Sequence, residues 1–241
     1  MTRREWLQRT ALVSAAWSLS KGSAVAQHRP ASTALDHLLL GAPDLDSAIF
    51  WFEKAAGVRP AIGGSHPGMG TRNALVSLGG RQYLEIIAPD PAQSAFNFQI
   101  DVRSLPGPRL VTWAASTPAL DEVVSTARSA SLTVFGPRDG SRVRPDGTTL
   151  RWRSAGALAD FRMGTVDPVP FFIEWAAGSP HPATDSPGGC RLTAFEVRHP
   201  DPERLQRLLA TLGIDAAVSR AETAALGAVL ATPNGEVRLA S

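Results

Sequence analysis

The sequence predicts an α+β fold assembled from repeated β-α-β-β-β blocks, and three observations predict it. An apolar strand that runs into Pro-Asp or a close variant recurs along the chain. An amphipathic helix follows each time, and glycine-punctuated strands close the block. A unit of this kind covers one face of its sheet with its helix. The other face must be buried against a second unit or line a cavity, so repeated units predict a pocket between curved sheets.

The first block opens with Leu35 to Leu40 as a strand, broken by Ala42-Pro43-Asp44. Asp44 is placed to cap a helix whose apolar face is Leu45, Ala48, Ile49, Phe52 and Ala56, ended by Gly57. Val58 to Ile62 reads as a short strand, and Gly63 to Asn73 as a glycine-rich loop. Ala74 to Leu78 and Arg81 to Ala88 flank Gly79-Gly80, a hairpin signal. In the second block Arg109 to Ala115 is a strand and Ser116-Thr117-Pro118 starts a helix with the stripe Leu120, Val123, Val124, Ala127. Leu132 to Phe135, Thr148 to Arg153 and Phe171 to Ala176 are further strands. Arg144-Pro145-Asp146-Gly147 is a turn, and 154–168 reads as loop. His181 to Gly189 is a Pro/Gly-rich linker. The plan then starts a third time with Leu192 to Arg198, a helix face of Leu205, Leu208, Leu209 and Leu212, and the hairpin turn Pro233-Asn234-Gly235. Aligned on Pro43-Asp44 and Pro200-Asp201, this block has Ala194 where the first has His37, so it reads as a third, incomplete scaffold module over residues 190–241.

Residues 1–26 read as a signal peptide of the twin-arginine type. Arg3-Arg4 precede an aromatic and a leucine, a short apolar run follows, and Ala24-Val25-Ala26 ends it. The apolar stretch is too short to span a bilayer. The expectation is a mature protein in the periplasm or secreted, with no stable membrane anchor after signal removal and with residues 1–32 outside the fold. The formal charge of +2 includes +3 from the leader, leaving −1 for the remainder. That balance excludes a nucleic-acid footprint. Lys54 is the single lysine beyond the leader and lies beside Glu53 on a helix, which argues against Schiff-base chemistry. Cys190 is the lone cysteine, so the fold holds without an intramolecular disulfide.

Several polar residues call for chemistry or for partners. Glu85 sits in an otherwise apolar strand, Tyr83-Leu84-Glu85-Ile86-Ile87, where an unpaired buried carboxylate is costly; a metal, His37 or an arginine would satisfy it. Glu174, between Ile173 and Trp175, poses the same problem. Strand alternation puts Tyr83, Glu85 and Ile87 on one side, and Leu35, His37 and Leu39 likewise. The glycines of the 63–73 loop allow close backbone approach to a ligand, with His66, Thr71, Arg72 and Asn73 as acid/base or anchoring groups, or as caps of a tight structural connection. Arg142, Arg144, Arg151 and Arg153 read as an anion clamp or a solvated strand face. Trp113, Trp152 and Trp175 read as pocket walls or core. His181 and His199, beside prolines, read as solvent-facing.

Taken together, Leu35-Asp36-His37, His66-Pro67-Gly68-Met69-Gly70-Thr71 with Asn73-Ala74-Leu75, Leu110-Val111-Thr112-Trp113, Leu150-Arg151-Trp152-Arg153 and Phe172-Ile173-Glu174-Trp175 resemble the vicinal oxygen chelate superfamily, and within it the glyoxalase-like domain group. The resemblance covers residues 33–180. It implies a glyoxalase/bleomycin-resistance/dioxygenase-like cupped barrel of two tandem βαβββ modules, with a divalent metal ion (zinc, iron, manganese or nickel) in the cup. Carried onto this chain, it names His37, Glu85 and Glu174 as metal ligands. Set in such a cup, the residues read above make His66 and Glu174 the expected catalytic groups, and Asn73, Thr71, Trp113, Arg144, Arg151 and Trp152 the expected substrate contacts. The opening strand of the second module offers no histidine; Trp113 occupies the neighbourhood. The implied activity is that of a metal-dependent lyase or isomerase acting on a small oxygenated molecule by bidentate chelation, ahead of a dioxygenase. Two alternatives stay open: a metal-free small-ligand binding protein of the same fold, and an interaction scaffold without a pocket. A homodimer is compatible with either.

Overall fold

A computed structural model describes residues 29–144 and 146–241. The export signal expected over residues 1–26 lies outside the described residues, as does Pro145. The first block comprises β1 (Arg29–Pro30), α1 (Ala31–Ala34), β2 (Leu35–Gly41), α2 (Leu45–Ala56), β3 (Ala61–His66), β4 (Thr71–Ser77) and β5 (Tyr83–Pro89). The second comprises β6 (Arg109–Ser116), α3 (Leu120–Ser129), β7 (Thr133–Val143), β8 (Thr149–Leu158), β9 (Phe171–Trp175) and the single turn α4 (Pro182–Asp185). The third comprises β10 (Arg191–His199), α5 (Pro202–Thr211), β11 (Ile214–Asp215), β12 (Val218–Arg220), β13 (Ala225–Thr232) and β14 (Gly235–Ala240).

The first two blocks share one eight-stranded sheet in the order β3-β4-β5-β2-β6-β9-β8-β7. Each contributes four strands in the same internal order. β2 lies parallel to β5, β6 lies parallel to β9, and the halves join through the antiparallel pair β2–β6. The sheet curls until its two ends meet. A Cβ on Gly64 in β3 would come within 2.9 Å of the Val143 carbonyl in β7. The third block forms its own four-stranded sheet, β12-β10-β13-β14. Here the opening strand β10 is flanked by β12 and β13, an order that differs from that of the other two blocks.

Local chemistry explains the helices. The Asp44 carboxylate accepts the Ser47 amide at 2.8 Å to start α2, and Gly57 ends it in the left-handed region at φ 72°. The α2 face expected from the sequence is the one buried. It packs with Leu38, Leu40, Val76, Leu84 and Ile86 on the convex side of the sheet. Asp201 caps α5 through the Arg204 amide, and Leu205, Leu208 and Leu209 are buried.

Three boundaries differ from the sequence reading. Residues 63–66 and 71–73 are hairpin rather than loop, because β3 pairs with β4 from Ala61↔Leu75 to His66↔Thr71. The 154–168 loop shrinks because β7 and β8 form one long hairpin, Thr133↔Leu158 to Val143↔Thr149. Residues 29–32 belong to the fold, since Arg29 and Pro30 pair with Ile214 and Asp215. Among the described residues no helix is long and apolar enough to cross a membrane.

Phe52 is fully buried at the centre of the α2–sheet contact. Phe52→Ala is expected to cost about 3–5 kcal/mol in unfolding free energy, measured by urea titration; a loss below about 1 kcal/mol contradicts this packing.

Candidate functional site

The concave face of the sheet encloses a cavity of about 450 Å³. Its polar end is built by β2, β3, β4, β5 and β7: His37, His66, Thr71, Asn73, Glu85 and Arg142 line it. Its apolar wall includes Leu39, Ile87, Phe98, Ile100, Phe135 and Phe171.

A bulge in β2 creates the polar end. The β2–β6 register shifts between Leu35 and His37, so Asp36 is the extra residue. The shift turns Leu35 into the convex core while His37 and Leu39 face the cavity. This corrects the expectation that Leu35, His37 and Leu39 share a side. The bulge also brings the Asp36 carboxylate beside its own neighbour: His37 Nδ1 donates to Asp36 Oδ1 at 2.8 Å. The other Asp36 oxygen accepts from Trp175 Nε1 and from His181 Nε2, both at 3.1 Å. His181 Nδ1 accepts the Ala183 amide hydrogen, so Nε2 carries the ring hydrogen. The adjacent prolines predict solvent-facing positions for His181 and His199, yet both are buried. His181 starts α4 and docks on Asp36; His199 packs against Phe161.

On the cavity side, His37 Nε2 stands 3.3 Å from Glu85 Oε2, and the imidazole stacks on Tyr83 at 4.4 Å. Glu85 Oε1 accepts from Asn73 Nδ2 at 2.7 Å and lies 3.5 Å from His66 Nε2. Asn73 Nδ2 also donates to His66 Nε2 at 3.2 Å, while Asn73 Oδ1 accepts from Arg142 Nη1 at 3.0 Å. An arginine only donates, so the orientation of the Asn73 amide is fixed. His66 Nε2 therefore carries a lone pair and Nδ1 the hydrogen, given to Thr71 Oγ1 at 2.9 Å.

These contacts set the charges. Burial alone would raise Glu85, but its bond and ion pair with His37 outweigh that and hold it at about 2. Burial would likewise raise Asp36, yet bonds from His181 and His37 hold it at about 2. Burial would lower His37, and the two flanking carboxylates overcome this and push it up to about 9. His66 goes the other way: burial, aided by Arg142 and His37, lowers it below its ordinary 6.5, leaving it neutral at pH 7. With Asp36 and Glu85 ionised, His37 protonated and Arg142 cationic, the cluster sums to zero charge.

The metal ligands named from the sequence do not assemble. His37 and Glu85 meet, but Glu174 lies on the opposite side of β9, where its carboxylate accepts from Arg153 Nη1 at 3.1 Å and from the Leu120 amide at 3.4 Å. It caps α3 rather than serving as ligand or catalytic group. Strand parity is the reason. Tyr83 pairs with His37 and Glu85 follows two residues on; Phe171 pairs with Ala114, so two residues on falls Ile173, and Glu174 is one position out of phase. Among the described residues no group of three or more His, Cys, Asp or Glu side chains forms a metal site.

The named substrate contacts divide. Thr71, Asn73 and Trp152 line the cavity. Trp113 is fully buried on the convex side, donating from Nε1 to the Pro168 carbonyl at 2.9 Å and packing against Phe195 of the third block. Thr112, its neighbour, faces the cavity instead. Arg144 pairs with Asp185, and Arg151 is exposed on the outer face. Arg142 is the member of that arginine series that reaches inside. Asp36 carries no assignment from the sequence; the available signal is a carboxylate inside an apolar strand next to a histidine.

A curled sheet of paired modules around such a cavity defines a glyoxalase-like domain of the vicinal oxygen chelate type. A family model described as a glyoxalase-like domain matches residues 35–213, and the chain belongs to that family. Among solved structures, a hypothetical protein from Staphylococcus aureus is similar at a TM-score of 0.60 and 15% identity, over 79% of this chain and 87% of that chain. Methylmalonyl-CoA epimerase from Streptomyces coelicolor, a variant in complex with 2-nitronate-propionyl-CoA, gives 0.44 and 19% over 60% and 99%. The Mycobacterium tuberculosis methylmalonyl-CoA epimerase gives 0.41 and 20% over 62% and 94%. A search of curated protein sequences returns no match.

The buried charges make stability pH-dependent. His37 is raised above 6.5, so its contribution is complete below pH 6.5 and is lost as pH rises through about 9. Glu85 and Asp36 are depressed from 4.5 and 3.8, so theirs is complete above those values and is lost as pH falls through about 2. Melting temperature is expected to be level between about pH 4.5 and 6.5 and to fall toward pH 9. His37→Gln is expected to flatten the alkaline fall, and an identical alkaline slope in both proteins contradicts the assignment.

Proposed function

We propose that this chain is an enzyme that moves a proton on a small oxygenated molecule held in the cup, with lyase- or isomerase-type chemistry and His66 as the acid–base group. The observation that carries the reading is the state of His66: neutral, with its Nε2 lone pair at the polar end of the cavity and a carboxylate 3.5 Å away. A base needs both features, a free pair before transfer and a counter-charge after it.

The step balances within the chain. His66 Nε2 takes the proton from a carbon beside a carbonyl, and the C–H electron pair moves onto the carbonyl oxygen as an enolate. Glu85 stabilises the imidazolium, and Thr71 holds the Nδ1 hydrogen so that the ring keeps its orientation. Asn73 gives up the longer of its two bonds, 3.2 Å to His66 against 2.7 Å to Glu85, to free the lone pair. The proton then returns to another carbon or to the opposite face. The apolar wall excludes water from the carbanion.

A second reading places a divalent ion at this end, held by His37, His66 and Glu85. It is favoured by one observation: each histidine Nε2 lies 3.3 or 3.5 Å from a Glu85 oxygen, the separation of two donors sharing one ion. Binding would require loss of the His37 proton and displacement of the Asn73 amide. When bound, such an ion polarises substrate oxygens. Metal analysis of protein purified from its own compartment tests it: stoichiometric metal that disappears in His37→Ala supports this reading, and none after loading removes it.

The proton-transfer reading is tested by proton–deuterium exchange of small hydroxyketones and oxo acids in D₂O, followed by NMR. His66→Ala is expected to slow exchange by about 10²–10⁴-fold, while Glu174→Gln, outside the cavity, leaves it unchanged. Tight ligand binding with no exchange on any such compound would make the chain a binding module instead.

A further inference from the structure

Arg142 is out of place for an arginine. It projects from β7 into the cup and is 4% exposed. Its partner is the neutral carbonyl oxygen of Asn73, reached by Nη1 alone. Among the described residues no carboxylate lies within ion-pair distance of it. Of the neighbouring arginines, Arg144 pairs with Asp185 and Arg153 with Asp121 and Glu174, while Arg138 and Arg151 are exposed to water. A guanidinium has five donors, and removing one from water without an anion is costly.

The site is built to keep it there. A Cβ on Gly63 would come within 1.9 Å of Arg142 Nη1 and 2.2 Å of Asn73 Oδ1. Even alanine would push the guanidinium out of its slot. The absence of a side chain at residue 63 is what lets an arginine from one end of the sheet cross to an asparagine near the other. The remaining donors face a cavity whose other wall is Leu39, Ile87, Phe98, Ile100 and Phe171.

We propose that Arg142 is the anchor for a carboxylate on the ligand, so that the cup takes small amphipathic monoanions: a carboxylate on the guanidinium fork and an apolar or aromatic body along the wall. The planar fork matches a carboxylate in two parallel hydrogen bonds. A phosphate monoester fits less well, because its second charge would be brought toward the Glu85 carboxylate at the same end of the cavity. The anchor rests on the cup being the ligand site of the proposed function, and it assigns what that ligand must carry.

The test is binding, which needs no turnover. The purified protein is titrated by calorimetry with 3-phenylpropanoate, 3-phenylpropanamide and benzyl phosphate. The carboxylate is expected to bind about tenfold or more tightly than the amide, and more tightly than the phosphate. Arg142→Gln is expected to erase the preference for carboxylate over amide with its circular dichroism unchanged. Should that variant fail to fold, Gly63→Ala, which displaces the guanidinium, is expected to erase it too. Equal binding of carboxylate and amide, binding of the phosphate alone, or no binding of any of the three overturns the anchor. His66→Ala separates the two proposals. Lost exchange with the carboxylate preference intact upholds both. Lost exchange in a protein that never preferred the carboxylate leaves proton transfer standing and the anchor overturned. Undiminished exchange with the preference intact does the reverse.

Discussion

Two carboxylates and an imidazole, buried side by side on adjacent strands, govern this molecule. Asp36 is 1% exposed, His37 2% and Glu85 7%. Any of the three alone would carry a prohibitive desolvation cost. Together they form a chain in which each charge faces an opposite one, and that chain dictates structure on every side. It requires the bulge in β2, because only an extra residue can bring the side chains of consecutive positions together. It requires β5 beside β2, so that Glu85 reaches His37. It recruits Trp175 from β9 and His181 from the segment beyond, which ties the second module and the α4 turn to the first strand of the first. The polar cluster is thus as much a joint between modules as a site.

The two modules share a strand order but divide the chemistry unequally. The first supplies the polar groups His37, His66, Asn73 and Glu85. In the second, the positions corresponding to His37 and Glu85 are Ala114 and Ile173, which offer no side-chain donor or acceptor. What the second module contributes instead is a cation, Arg142, and aromatic surface from Phe135, Trp152, Phe171 and Trp175. Symmetric architecture with asymmetric lining gives the cavity a polar pole and an apolar pole. A cavity of that kind orients its ligand end to end, which a symmetric ring of donors would not do. The third block stays out of the cup altogether. Its Phe195 packs against Trp113, covering the convex face of β6.

Much of the fold was legible because the signals were local. Asp44, Gly57 and the apolar stripe of α2 fix that helix within a few turns of chain. The need of Glu85 for a partner was also legible, since a carboxylate in an apolar strand demands one, and His37 was among the three candidates. What escaped the sequence depended on parity across long separations. Glu174 and Trp113 were assigned to the cup, and each sits one residue out of phase with its true neighbours, Ile173 and Thr112. Alternation says which residues share a face; only the register with other strands says which face is concave. The bulge at Asp36 is a further break in alternation that no local pattern announces. His181 looks exposed beside its proline, yet proline at the start of a helical turn is compatible with burial, and the carboxylate that holds it, Asp36, lies 145 positions earlier.

The direction of the hydrogen bonds turns this arrangement into a poised one. Arginine can only donate, so Arg142 forces the carbonyl end of Asn73 toward itself and the amide end toward Glu85 and His66. That choice makes His66 Nε2 an acceptor, which sends its hydrogen to Nδ1 and thence to Thr71. A residue in β7 thereby sets the tautomer of a histidine in β3 through a single amide in β4. Rotating that amide would point its carbonyl at a carboxylate and its N–H₂ at a guanidinium, unfavourable at both ends, so one arrangement wins decisively. The same logic applies once a ligand anion shares the guanidinium. Arg142 keeps donors for both, because its fork holds five hydrogens and Asn73 takes one. Anchoring a carboxylate and holding His66 in a single tautomer are therefore compatible demands on one side chain. Gly63, whose missing Cβ opens the slot, is the structural condition for both.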